Sequence, residues 1–267
     1  MVKMAAAVWA VLGVLCATMP ALAAEVRVMT DRPDHATSLY TIYPGLAQVE
    51  TGVSFLRNTS GDSPVRRFAA EGVVRVGLTE TTEVSVGGEF LIRERSDEQT
   101  TTGFGDMILA GKWRIVEDEG WRPALGVLPF IKFPTASRTK RLGSGRVDFG
   151  AILAAGKDLP GDLHVDVNVG LGAVDLPEDP GGLFFRKTVA ASFSWTLTDK
   201  ISPFWEIFYE SRDRPDGHHN EGTDFGVIVT LNRRLALDLG VELGIGGANP
   251  DWVLRTGFSV LLGALPN

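Results

Sequence analysis

Cysteine is almost absent from this chain, with Cys16 the one example among 267 residues. An intrachain disulfide and a cysteine-based metal site are therefore both excluded. Histidine is also scarce, at four residues, and the 26 basic residues are outnumbered by 33 acidic ones, which gives a formal net charge of −7. Because binding to nucleic acid needs clustered cations, this charge balance argues against a nucleic-acid partner.

Long apolar runs are missing everywhere except at the N-terminus. There, Lys3 precedes an apolar run over residues 5–17, and Ala21-Leu22-Ala23 fits the small-residue site of a signal peptidase. This order predicts a signal peptide over residues 1–23, cleaved after Ala23. The alternative, an N-terminal membrane anchor, needs a longer apolar run. The mature chain would then have no cysteine and no helical span, as is typical of a bacterial envelope protein.

What the chain does have is a period of two, repeated about a dozen times. In the stretch 101–116, for example, Leu109 and Trp113 alternate with Lys112 and Arg114. Such alternation predicts strands with one apolar and one polar face. The predicted strands are Leu46–Leu56, Arg66–Leu78, Glu83–Arg93, Thr101–Val116, Pro123–Phe133, Arg146–Gly156, Leu163–Val174, Phe184–Leu197, Ile201–Glu210, Thr223–Leu231, Leu235–Ile245 and Trp252–Leu262.

The links between these strands alternate in length along the chain. Long polar links follow the odd-numbered strands and short links follow the even-numbered ones. An even number of strands, with short turns at one end and longer loops at the other, is the pattern of an outer-membrane barrel. We therefore predict an all-β fold, an antiparallel transmembrane β-barrel of about twelve strands over residues 46–267, in the bacterial outer membrane. A soluble two-sheet sandwich is the alternative.

The polar faces decide which side of the sheet is inside. A soluble barrel or sandwich could not bury so many charged residues in a core, whereas a membrane barrel has a polar lumen. The predicted lumen-lining residues are Arg67, Glu71, Arg75, Glu89, Arg93, Asp106, Lys112, Arg114, Lys132, Asp148, Asp166, Arg186, Glu206, Asp238, Glu242 and Arg255. Both signs of charge occur on neighbouring strands, so ion pairs are expected to cross-link much of the lumen.

Residues 24–45 precede the first strand and are predicted to form a separate N-terminal periplasmic segment. Their turn-prone centre is Thr30-Asp31-Arg32-Pro33-Asp34. Two alternatives remain open for this motif, a plug that seals the periplasmic mouth or a plain tether into the first strand.

Few residues of the chain could form a catalytic site. His164 and Asp166 share a face of one strand with Ser192 or Ser194 of the next, so a Ser/His/Asp arrangement is conceivable. More simply, they are polar lumen residues, and we predict no enzyme activity.

Two loops contain residues that could bind a metal or an anion, although an ordinary solvated loop would contain them too. His218 and His219, with Asp213, Asp216 and Glu221, could bind a metal, but a solvated loop explains them as well, and no metal or cofactor is predicted. A loop around Gly143 is too short to cradle a phosphate. Contact with lipopolysaccharide phosphates is one alternative, beside simple surface solubility, for three loop cations: Arg138, Lys140 and Arg141.

Several short motifs resemble those of the outer-membrane barrel family named for the MetA pathway of phenol degradation. They are Thr30–Asp34, Pro44-Gly45 with Gln48-Val49-Glu50 and Gly52, Gly103-Phe104-Gly105-Asp106, Lys112-Trp113-Arg114, Lys132-Phe133-Pro134-Thr135, and the glycine-rich Gly143–Gly150. The resemblance implies an outer-membrane transporter, with hydrophobic solutes as candidates. The chain departs from common barrel proteins at its C-terminus, where Leu265-Pro266-Asn267 stands in place of a final aromatic residue.

Two functions of different classes follow. The first is a channel or transporter for small solutes, hydrophobic or aromatic ones included. The second is a non-conducting barrel with a structural or envelope-interaction role and a lumen filled by ion pairs. The expected partners are outer-membrane lipids and lipopolysaccharide, small solutes and the barrel assembly machinery.

Overall fold

The computed structural model describes residues 26–59, 64–140, 142–175, 183–212, 217–247 and 249–265. The predicted signal peptide lies outside these ranges. So do Arg141 of the candidate phosphate contacts and Asp213 and Asp216 of the candidate metal site. Among the described residues, no helix is both long and apolar enough to cross a membrane.

The described residues form thirteen strands and one short 3-10 turn at Arg138–Lys140. The strands are β1 Ala47–Asn58, β2 Val65–Gly77, β3 Thr82–Arg95, β4 Thr100–Gly103, β5 Met107–Val116, β6 Ala124–Phe133, β7 Asp148–Leu159, β8 Leu163–Asp175, β9 Leu183–Trp195, β10 Ile201–Glu210, β11 Asn220–Asn232, β12 Leu235–Gly247 and β13 Trp252–Leu262.

Every strand pairs antiparallel with its neighbours, and β1 pairs with both β2 and β13, so the sheet closes into a barrel. β4 and β5 both pair with β3, in consecutive parts of it. They are two pieces of one strand position, which makes twelve positions around the wall. The predicted twelve-stranded antiparallel barrel is confirmed, with a break in the predicted strand Thr101–Val116 at Phe104–Asp106.

The two ends of the barrel differ as the link lengths predicted. One end, the short-turn end, carries the links 78–81, 117–123, 160–162, 196–200 and 233–234. The other, the long-loop end, is the end at which β1, β3, β6, β8, β10 and β12 finish. In bacterial outer-membrane barrels the short turns face the periplasm, so the long-loop end faces the cell exterior.

The outer face of the barrel is apolar. Leu109 is 42% exposed, and Trp113, Leu153 and Val169 are more exposed still. Large apolar groups point outward along every strand position, while most charged groups of the strands point inward, which is the reverse of a soluble protein. The protein is an outer-membrane β-barrel.

The buried apolar residues lie inside the lumen rather than between sheets. Three clusters form where side chains of residues 26–46 pack against the inner wall: Val28, Ile42 and Leu46 with Ala236 and Leu261; Leu39 with Ala124, Leu128 and Ala154; and Ala36 with Ala190 and Phe208.

We expect an added charge to lower the unfolding free energy much more at one position of β5 than at the position next to it. Leu109→Arg would place an arginine in the lipid, at a cost of about 2–4 kcal/mol near the bilayer midplane. The matched control is Ile108→Arg, since Ile108 faces the lumen and lines its cavity. Unfolding free energies measured in lipid vesicles would separate the two, and equal losses would contradict the assignment of faces.

Candidate functional site: the plugged lumen

Residues 26–45 fold into the lumen, and we call them the plug segment. Near its start, the Val28 N–H donates a hydrogen bond to the Arg233 carbonyl (2.8 Å), and near its end the Ile42 N–H donates to Glu83 (2.9 Å). Both contacts lie at the short-turn end, whereas the middle of the segment reaches Glu206, half-way along β10. The segment thus enters from the short-turn end, passes through the interior and returns. Residues predicted to form a separate periplasmic piece lie within the barrel.

A buried ion-pair cluster holds the first half of the plug segment. The Asp31 carboxylate lies 3.0 Å from the Arg75 guanidinium and 2.8 Å from the Lys112 ammonium. Arg75 also pairs with Glu50 (2.7 Å) and Glu83 (2.9 Å). Arg75 is 2% exposed and Glu50 is 0% exposed. A charge buried this deeply is tolerated only with opposite charges around it, and Asp31 is one of three carboxylates that surround the Arg75 guanidinium.

Arg32 provides a second anchor across the lumen. Its guanidinium pairs with Glu71 at 2.6 Å on one side and Asp238 at 3.4 Å on the other. The side chain lies directly over Gly52 and Gly257, where an added Cβ would come within 2.3 Å and 2.9 Å of it. These two glycines are required because the wall must leave room for the arginine.

The second half of the plug segment is bound through its backbone. The N–H groups of His35 and Ala36 donate to the Glu206 carboxylate at 2.8 Å and 2.7 Å. The Asn168 side-chain amide accepts from the Thr37 N–H (2.7 Å) and donates to the Thr37 carbonyl (3.1 Å). Wall side chains thus satisfy polar backbone groups that have no partner in a helix or a sheet.

One group of metal-ligand types occurs among the described residues: His35, Asp224 and Glu242, whose ligand atoms all lie within 4.8 Å of one another. The Arg255 guanidinium contacts Glu242 and lies 3.6 Å from Asp224 and 3.5 Å from the His35 ring. Because the Arg255 guanidinium lies against both carboxylates and would repel a cation placed between them, we assign no metal here.

The serine–histidine arrangement that the sequence allowed is not assembled. His164 contacts Asp166 (3.2 Å) and Asp158 (2.6 Å). Ser192 instead donates to Asp34 of the plug segment at 3.0 Å. In the described residues, no serine hydroxyl therefore bonds to the His164 ring, and the geometry of a nucleophile and its base is missing.

Next to His164, the short-turn end is closed by further polar contacts. The Tyr40 hydroxyl donates to Asp158 at 2.9 Å. On the neighbouring turn, the Lys157 ammonium donates a hydrogen bond to Asp118, which lowers the pKa of that carboxyl below its ordinary value. These contacts tie the plug segment and two turns together at the periplasmic mouth.

A cavity of about 530 Å³ lies in the lumen with the plug segment as its floor. Its walls come from β1, β2, β3, β5, β6 and β13. Its lining combines charged groups with the apolar side chains of Val73, Ile108 and Leu142. The lining residues are Asp31, Arg32, Pro33, Asp34, His35, Glu50, Glu71, Gly72, Val73, Gly88, Glu89, Asp106, Ile108, Lys132, Leu142, Gly143 and Arg255.

The loop 134–147 folds inward over this cavity and is held by Asp106. The Asp106 carboxylate accepts hydrogen bonds from the Ala136 and Ser144 N–H groups, both at 3.0 Å. A Cβ on Gly143 would lie 2.4 Å from the same carboxylate, so only glycine fits there. The Thr135 hydroxyl adds a bond to the Gly105 carbonyl at 3.0 Å. We call these contacts the loop latch.

Fifteen of the sixteen predicted lumen residues lie on the inner face. Their contacts join neighbouring strands or the plug segment, as in the pairs Arg67–Glu89, Lys132–Asp148, Arg186–Glu210 and Arg255–Glu242, and in the hydrogen bond from Arg114 to the Leu39 carbonyl. The expected cross-linking of the lumen by ion pairs is therefore what the structure contains.

Arg93 is the exception, because the prediction that it lines the lumen is wrong. A register shift on β3 opposes Glu89 to Glu71 but Leu91 to Ala70, so Phe90 is an extra residue. A bulge of one residue reverses every side chain beyond it. Arg93 therefore lies outside, opposite Phe68, and its neighbour Ile92, at 0% exposure, faces inward.

The comparisons with known proteins agree with this geometry. Residues 30–262 match the model of a family described as "Putative MetA-pathway of phenol degradation". The chain belongs to this family. No curated protein matches it.

Solved structures share the fold at low sequence identity. An outer-membrane channel from Pseudomonas putida F1 has a TM-score of 0.65 and 13% identity over 84% of this chain and 98% of that one. The NanC porin has a TM-score of 0.56 and 11% identity over 79% of this chain and 98% of that one.

The motifs that suggested the MetA-pathway family are the plug contacts and the loop latch. Thr30–Asp34 is the anchored part of the plug segment, and Gln48, Glu50, Gly52 and Lys112 are its wall partners. The motifs around Asp106 and Thr135 meet in the loop latch.

Sequence reasoning missed the role of residues on the plug segment itself. His35 and Ala36 carry no signal of their own, because they bind through backbone groups. For Arg32 the sequence does contain a signal. An arginine lies among turn-forming residues, and the wall has inward glycines at Gly52 and Gly257, which together indicate a side chain that crosses the lumen.

Loss of the Asp31 charge should loosen the plug segment. Asp31→Asn leaves Arg75 and Lys112 short of one buried partner, at a cost of about 1–3 kcal/mol. We expect proteolysis within residues 26–45, measured from the short-turn side of reconstituted vesicles, to accelerate about tenfold or more. Glu119→Gln, on an exposed turn, is the matched control, and equal protection in both variants would contradict the proposed anchoring.

Loss of the Asp106 charge should release the loop latch. Asp106→Ala removes the acceptor of two backbone N–H groups, so the loop 134–147 should exchange its amide hydrogens faster while the strands keep their protection. Hydrogen exchange read by mass spectrometry measures this, with Asp97→Ala in the link 96–99 as control. Unchanged exchange in the loop would show that Asp106 does not hold it.

Proposed function

We propose that the protein is an outer-membrane channel for small solutes, closed at its periplasmic mouth by the plug segment. The observation that supports this is the lumen cavity of about 530 Å³, which lies above the plug segment and below the loop 134–147. A solute arriving from outside would occupy this space, and it would reach the periplasm when the plug segment moves.

The contacts of the plug segment suit a movable closure. Most are hydrogen bonds and ion pairs, such as those of Asp31, Arg32 and His35 with the wall. Each of the three apolar clusters that accompany them contains five or fewer buried residues. Water can replace polar contacts on both surfaces when they separate, whereas a large apolar contact would resist exposure. The segment is joined to the wall covalently only through Leu46 at the start of β1.

The lining of the cavity indicates which solutes fit. Val73 and Ile108 lie at one level of the wall, both opposite Gly87 across β3, and Leu142 of the loop lies near them. Arg32 and Lys132 are among the charged groups of the same cavity. Apolar side chains with charged groups beside them suit a small amphipathic molecule, such as an aromatic ring with one polar group. The phenol in the family's description is of this class.

The second candidate is a non-conducting barrel with a structural or envelope-interaction role. It is supported by the density of ion pairs in the lumen, above all the cluster of Arg75 with Asp31, Glu50 and Glu83. If these contacts hold the plug segment permanently, the barrel has no open state. We also propose the barrel assembly machinery as a partner, because a closed transmembrane barrel must be inserted into the membrane.

A cysteine lock on the plug segment tests the channel. Asp34 and Ser192 face each other, with the serine hydroxyl 3.0 Å from the carboxylate, and the mature chain has no other cysteine. The variant Asp34→Cys/Ser192→Cys, oxidised in planar bilayers, should conduct at least tenfold less than the reduced form. The reductant should restore conductance, and the two single variants are the controls.

A deletion of residues 24–45 separates the two candidates. The channel predicts larger conductance and faster entry of phenol into liposomes for the deleted protein than for the full chain. If the deleted barrel folds, as shown by heat-modifiable mobility in gels, and still conducts nothing, the non-conducting role is the correct one.

A further inference from the structure

Four arginines form a cluster on the outer face of the barrel at the long-loop end. Arg57 of β1 is the register partner of Arg66 of β2, and Arg66 is in turn the partner of Arg95 of β3. Arg93 lies two residues from Arg95 on the same face. All four side chains are exposed. Partners across antiparallel strands lie close enough, at about 5 Å between Cβ atoms, for their charges to interact. We call these residues the rim cluster.

The bulge at Phe90 creates the rim cluster. Without the extra residue, Glu94 rather than Arg93 and Arg95 would face outward at this level. With it, Glu94 turns into the lumen, where it lies 3.8 Å from Arg67. The bulge therefore sorts the charges at the rim, with acidic groups inside and arginines outside.

The arginines of the rim cluster lack acidic partners. In the described ranges, none of the four forms an ion pair, although every arginine in the predicted lumen set that faces inward has a partner there. Their next neighbours on β4 are Thr100, opposite Arg95, and Thr102, opposite Arg93. Like charges that face each other across strands repel, so an anion from outside would stabilise this arrangement.

The surface below the rim cluster is apolar. Phe55 and Phe68 contact each other there, with ring centroids 5.1 Å apart, and Phe68 is the partner of Arg93. Phe90 and Leu91 are exposed on the same outer surface. The outer face thus places guanidinium groups above aromatic rings, as an anionic lipid would require for its head group and its acyl chains.

We propose that the rim cluster binds the phosphate groups of lipopolysaccharide, the anionic lipid of the outer leaflet. Guanidinium groups bind phosphate oxygens in pairs, and the threonine hydroxyls add donors. This inference depends on the orientation of the barrel in the outer membrane, and it does not depend on whether the barrel conducts.

Binding of lipopolysaccharide to the purified barrel in detergent tests the proposal. Because it removes all four guanidinium groups, the variant Arg57→Gln/Arg66→Gln/Arg93→Gln/Arg95→Gln should bind at least about tenfold more weakly. The control removes four other exposed cations, with Arg122→Gln/Arg138→Gln/Lys140→Gln/Lys200→Gln, and should bind as the wild type does. This control also tests the loop cations as the alternative phosphate site.

Two further lipids and a second variant complete the binding experiment. Dephosphorylated lipopolysaccharide should bind the wild type as weakly as the intact lipid binds the variant. Phosphatidylglycerol should bind more weakly than lipopolysaccharide, and equal binding would indicate attraction to any anionic lipid. If the fourfold variant does not fold, as judged by heat-modifiable mobility, Arg66→Gln/Arg95→Gln takes its place. Binding unchanged in the folded variant would overturn the proposal.

Discussion

Neutralisation of buried charge is the constraint on which the rest of this structure depends. The lumen encloses many ionised groups from both the wall and the plug segment, and each needs an opposite charge or a hydrogen bond. Glu71 and Asp238 of the wall illustrate this, since the guanidinium that pairs with both of them is that of Arg32 of the plug segment. The plug segment thus supplies wall residues with partners that the barrel by itself does not provide.

The family motifs gain a common explanation from this arrangement. They are scattered along the chain, from Thr30 to Thr135, and no two of them form a recognisable site in the sequence. In the fold they meet at two places, the contacts of the plug segment and the loop latch at Asp106. In this chain the motifs therefore place a chain segment on each side of one cavity, with glycines such as Gly52 and Gly143 where another segment comes close.

At the rim of the long-loop end, the charges on the inner face have ion-pair partners, and those on the outer face have none among the described residues. Charges facing the lumen are matched, as in Arg67 with Glu89 and Glu94. The arginines facing outward are matched with nothing in the described chain, and they lie where the surrounding membrane carries anionic groups. One extra residue at Phe90 produces both results, so a local irregularity decides which charges face the lumen and which face outward.

The sequence by itself determined the barrel, because alternation has a period of two and each strand repeats it. The number of strand positions, the faces of Leu109 and Lys112, and the inequality of the two ends all follow from local patterns and link lengths. Tertiary structure alone decided the course of the plug segment, whose contacts, such as that of His35 with Glu206, join residues far apart in sequence. It also decided Arg93, because a bulge depends on how two strands pair, and the alternation of either strand alone does not record it.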